Sequence, residues 1–183
     1  MPHCDLLVRD RIDAELLAVI EAAPIPDLND APRDAKTAEA VKRLLAGSVG
    51  SQLDRCAAAG LWLLAGDLDA SHSLSQEVHT KEGSFWHGIM HRREGDFENA
   101  KYWFHRVGRH SVLTSLAEQI QSTAEEPSRE PLPWDELTDA AELPFALVDA
   151  CRTAVRGQSS TRETLREICW WEWQLLFSCS IGG

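Results

Sequence analysis

The chain has 183 residues, 44% of them hydrophobic, enough to bury a core without disulfide or metal staples. With 29 acidic against 18 basic residues, its formal net charge of −11 repels a phosphate backbone and argues against nucleic-acid binding. No apolar run reaches the ~20 residues of a membrane span, and the charged start MPHCDLLVRDRIDAELL lacks a signal-peptide pattern. Five cysteines without a CxxC pair give neither a zinc knuckle nor a disulfide framework, so reduced thiols in a cytoplasm are expected.

In chain order, apolar periodicity predicts helices over 5–23, 31–46, 51–65 and 67–78, followed by a polar link over 79–83. The segment 84–109 then reads as two short helices joined at Gly95, with Ser84 capping the first and Asp96 the second. A further helix is expected over 111–121, a Pro- and acid-rich surface loop over 122–134, a helix over 143–155 opened by Pro144, and a last helix over 161–177. That final helix carries Trp170, Trp173, Leu176 and Phe177, too apolar for a free terminus, and is expected to fold back over the central pair. No segment alternates as a strand would, so the expected fold is a single all-α domain over 1–183.

The sequence Gly66-Asp67-Leu68-Asp69-Ala70-Ser71 parallels Gly95-Asp96-Phe97-Glu98-Asn99-Ala100, each following a helix and opening another. Short corners of this kind make antiparallel helical hairpins. Around the second corner, Gly88, Ala100 and Phe104 hold the mutual spacing of small, small and aromatic packing positions; the first unit has Ala59, Trp62 and Ser71. On these residues the stretch 52–108 resembles two tetratricopeptide-like (TPR-like) repeats. The departures are His91 where an aromatic is usual, Val107 where alanine is usual, Ser75 for an aromatic in the first unit, and corners at 66 and 95 rather than about 34 residues apart. The resemblance implies hairpins stacked in a right-handed array, here closed by the C-terminal apolar helix. The segment WHGIMHRREGDFENAKYWFHRVG also resembles one in microbial proteins of unassigned function, which implies no activity.

Two chemistries suggest themselves in this region. His87 and His91 are four apart on one helix face, with Glu94 one turn further, and two such imidazoles plus a carboxylate can hold a divalent Zn, Mn or Fe ion with one position open. Glu77 or His72 from the preceding hairpin is a further ligand or a base, and the local glutamate of HExxH is missing. The second chemistry is a cleft for a small anionic molecule or a peptide. Trp86 and Trp103 would wall it, Arg92, Arg93 and Arg106 would contact the anion, His72, His87 and His91 would donate hydrogen bonds, and Gln76 and Tyr102 would share the site. The expected uses are therefore ligand binding in a His/Arg/Trp cleft, metal-dependent hydrolysis, or a structural interaction module, in a monomer or homodimer.

Overall fold

The computed structural model describes residues 4–29, 32–47, 49–50, 53–124, 134, 137–157 and 161–181. The architecture is all-α, and no strand occurs among the described residues. The helices are α1 (Ala14–Ala22), α2 (Ala35–Ala46), α3 (Arg55–Leu64), α4 (Leu68–Ser75), α5 (Lys81–Glu94), α6 (Phe97–Val107), α7 (Ser111–Ala124), α8 (Leu143–Arg156) and α9 (Arg162–Ser180). Among the described residues no helix is long and apolar enough to cross a membrane.

Aspartate side chains start most of these helices. Asp13, Asp34, Asp54, Asp67 and Asp96 each accept a hydrogen bond from a first-turn backbone N–H, satisfying a donor that the helix itself leaves open. Helix α5 departs from the sequence expectation. Thr80, not Ser84, is its cap, accepting from the Gly83 N–H, so the helix begins at Lys81 and takes up most of the predicted link. Gly83 permits the tight entry, since a Cβ there would lie 2.2 Å from the Val78 carbonyl oxygen.

The two glycine–aspartate corners are built alike. Gly66 and Gly95 take φ values of 76° and 92°, a region that costs glycine nothing. At the first corner the Asp67 N–H donates to the Trp62 carbonyl at 2.9 Å, and at the second the Asp96 N–H donates to His91 at 3.0 Å. Helices α3 and α4 therefore pack against each other, α5 and α6 likewise, and α4 lies against α5. Gly88 lets the Phe104 ring approach, at 3.1 Å from where a Cβ would sit.

Helix α9 ties two cores together. Its Trp173 and Phe177 join the core of α1–α6, while Leu165 and Ile168 join a second core with Leu116, Leu147 and Trp134. The Trp173 indole N–H donates to the Gly60 carbonyl at 2.9 Å, and the Trp86 indole N–H donates to Ser180 Oγ at 3.1 Å. The expected surface loop, apart from 122–124 and the buried Trp134, lies outside the described residues, as does most of the turn at 157–160.

Candidate metal centre

The hairpin geometry turns three histidines toward one point. His72 stands on α4, and His87 and His91 stand one turn apart on α5, the helix that packs against it. The ring centroids of His72 and His87 are 4.6 Å apart, those of His87 and His91 4.6 Å, and those of His72 and His91 5.5 Å. One ring nitrogen from each lies within 4.8 Å of the others. His87 and His91 are buried and His72 half-buried, so the cluster opens outward on the His72 side.

Hydrogen-bond partners orient two of these rings. The Ser75 hydroxyl donates to the His72 carbonyl at 3.3 Å, which leaves its oxygen to accept from His87 Nδ1 at 3.1 Å. His91 Nδ1 donates to the Glu94 carboxylate. With Nδ1 protonated, the neutral imidazole carries its lone pair on Nε2. Both rings are thus in the tautomer of a metal-ligating histidine whose other nitrogen is held by a partner. Asn99 from α6 lies beside His91, its amide nitrogen 3.0 Å from Nε2. Burial first, then the neighbouring His91 and His72, pushes the His87 pKa down from 6.5 to about 3, so this ring presents no proton to compete with a cation.

A second cluster makes a useful contrast. Glu82, His110 and Cys179 also lie close together. There, His110 Nε2 pairs with Glu82 at 3.2 Å and Nδ1 accepts from the Val112 N–H at 3.2 Å, so both nitrogens are committed. In the α4–α5 cluster His91 Nε2 accepts from a side-chain amide, Asn99, which can turn away from an incoming cation as the Val112 backbone N–H cannot.

The residues expected to form one cleft divide into two groups. Trp103 packs on His87 with centroids 4.1 Å apart, the Arg106 guanidinium lies 5.1 Å over the Trp103 ring, and exposed Tyr102 meets Trp103 edge-on at 5.5 Å. Of these, Trp103 is the one that touches the cluster, through His87. Gln76 is exposed at the end of α4. Trp86, Arg92 and Arg93 instead point into the core, where α9 meets the first two and α3 the third. Trp86 is fully buried against Trp173, at 6.1 Å between centroids. Arg92 is 2% exposed and forms a two-pronged pair with the fully buried Glu172 of α9. Arg93 donates to the Leu63 carbonyl. None of these three meets the histidine cluster, and Arg92 and Arg93 instead border a small recess beside α9.

The carboxylates proposed as ligands also separate. Glu77 is exposed and pairs with Arg55, while Glu94 orients His91 rather than sitting beside His72 and His87. The sequence reading missed Ser75, Asn99 and Glu172. Ser75 stands three positions after His72 on one helix face, and Glu172 is a lone acid in the run WWEWQLLF, which is a signal for a buried counter-charge. Asn99 became visible only once the corner at Gly95 brought α6 beside α5.

No known protein family, curated protein or solved structure matches this chain.

Proposed function

We propose that the protein binds a divalent transition metal through His72, His87 and His91, and that the ion's open position, flanked by Trp103 and Arg106, takes a small anionic ligand. The observation that carries this reading is the tautomer of His87 and His91. Each has Nδ1 engaged by a partner, and one ring nitrogen of each lies within 4.8 Å of the other and of His72, with the Asn99 amide needing to release His91 Nε2 for the ion to bind. Three imidazole ligands suit zinc, iron, copper or nickel better than the hard ions that prefer oxygen, which ranks manganese below zinc and iron. Zinc–nitrogen bonds of about 2.0–2.1 Å put tetrahedral ligands roughly 3.4 Å apart, so small side-chain rotations must draw the rings together.

Binding is favoured over hydrolysis. A hydrolytic centre lowers the pKa of a metal-bound water but also needs a group to receive the proton. Glu77 and Glu94, the carboxylates considered for that task, are engaged by Arg55 and His91. The TPR-like arrangement of the hairpins remains part of this proposal, supported by the matching hydrogen bonds of the two corners and by Phe104 packed over Gly88.

Elemental analysis of protein grown with zinc and iron and exhaustively desalted tests the reading. About one ion per chain is expected in the parent, and none in a His87→Ala, His91→Ala double variant. Equal metal in both proteins overturns the site.

A further inference from the structure

We propose that Cys151 and Cys169 form a peroxide-oxidisable thiol pair, reached through a recess between α5 and α9. The two sulfurs face each other at 3.9 Å across the α8–α9 contact. A disulfide needs about 2.05 Å, so rotation of the two side chains by roughly 2 Å at sulfur closes the bond without moving either helix far. Cys151 is fully buried, while Cys169 is half-buried and borders a recess lined by Leu28, Ile89, Arg92 and Trp170.

The recess sets the oxidant's size. Its free volume is about 30 Å³, room for roughly two waters and therefore for hydrogen peroxide. A glutathione disulfide or an alkyl hydroperoxide with a bulky tail does not fit. Arg92 supplies the activating charge. The hydrogen bond from Cys169, with Arg92 assisting against burial, holds the Cys151 thiol below the usual thiol range. Burial opposes the Arg92 charge, yet Cys169, Glu172 and Cys151 together hold its pKa above the ordinary value. The same hydrogen bond and then burial hold the Cys169 thiol well above the usual range, so its proton must move to Cys151 before Cys169 can attack. Arg92 favours the thiolate at both sulfurs, and its partner Glu172 opposes it.

The chemistry balances without a further co-reactant. The Cys169 thiol passes its proton to Cys151, and the Cys169 thiolate attacks one peroxide oxygen. An S–O bond forms, the O–O bond breaks, and hydroxide leaves, taking the proton back from Cys151 as water. The Cys151 thiolate then attacks the sulfenic sulfur. An S–S bond forms, the S–O bond breaks, and the departing hydroxide picks up a proton from solvent. Two thiols are oxidised to one disulfide and one hydrogen peroxide is reduced to two waters. This inference is independent of the histidine centre, which uses neither cysteine.

The test treats the whole reduced protein with equimolar hydrogen peroxide, tert-butyl hydroperoxide or oxidised glutathione, then alkylates and maps cysteine peptides by mass. The expected result is a Cys151–Cys169 disulfide as the first product, formed at least ten-fold faster with hydrogen peroxide than with either bulkier reagent. A Cys151→Ser variant then stops at a Cys169 sulfenic acid, read as one added oxygen in the mass of the intact protein and of its Cys169 peptide. The proposal is overturned if Cys4, Cys56 or Cys179 oxidises first while this pair stays reduced. Equal rates with all three oxidants, or no added oxygen at Cys169 in the variant, overturn it as well.

Discussion

At the scale of single residues, the chemistry of the centre depends on which nitrogen carries each proton. Ser75 and Glu94 decide this for His87 and His91. Removing such outer partners of ligating histidines costs about 10–100-fold in metal affinity. Ser75→Ala and Glu94→Gln are therefore expected to weaken metal binding by that factor while leaving the fold intact, as competition with a chromogenic chelator will read. His87 also predicts a pH dependence for the metal-free protein. The unfolded chain protonates this ring near 6.5, the folded one only near 3. Between those values the unfolded state binds more protons, so stability is fully present above about 6.5 and declines as pH falls toward 3, by at most about 1.4 kcal/mol per pH unit. Denaturant unfolding at pH 7, 6, 5 and 4 will show a slope that His87→Gln flattens. The i,i+4 histidine pair was legible in the sequence because helical spacing alone puts both rings on one face. The protonation pattern was not, since Ser75 and Glu94 are common residues whose aim depends on rotamers.

At the scale of elements, glycine placement decides how closely the helices approach. Gly60 on α3 lies under Trp86 of α5, and a Cβ there would stand 2.8 Å from the indole and 3.3 Å from Phe177. Both rings are fully buried and cannot retreat into solvent. Gly60→Ala is expected to cost about 1–3 kcal/mol through overpacking. Gly95→Ala meets no atom within 4 Å but must hold φ at 92°, costing about 1–2 kcal/mol through the backbone alone. Thermal melts of the two variants, with tryptophan fluorescence reporting the indole environment, separate the causes: only Gly60→Ala should disturb Trp86. The corners at Gly66 and Gly95 were readable because glycine followed by aspartate has one strong local meaning. Helix starts were read less well. Thr80 took the role given to Ser84, since the tight entry at Gly83 extends α5 by a turn that periodicity could not reveal.

At the scale of the whole molecule, α9 sorts the central segment into an inside and an outside. By covering one face of α5 it takes Trp86 and Arg92 into the core and leaves Trp103 and Arg106 beside the histidines. The sequence showed that His, Arg and Trp crowd into residues 84–109, but neighbours on one helix point to opposite sides of it. Only the position of a helix more than 60 residues later decides which of them meet. The Arg92–Glu172 pair is the strongest marker of that closure. Removing one partner leaves a buried charge unpaired and is expected to cost about 3–5 kcal/mol. Arg92→Met or Glu172→Leu alone should therefore lower the unfolding midpoint sharply, and the double variant should recover most of the loss. An Arg106→Ala change, on the exposed face, should leave the midpoint nearly unmoved.

Titration of the metal-free protein with cobalt(II), followed by visible absorption, examines the three-histidine centre directly. A nitrogen-bound four- or five-coordinate ion gives intense d–d bands that saturate at one cobalt per chain and are lost together in His72→Ala, His87→Ala and His91→Ala, each still folded by circular dichroism. Cobalt spectra unchanged from the free aqua ion, or bands that persist when these histidines are replaced, would contradict a metal centre between α4 and α5.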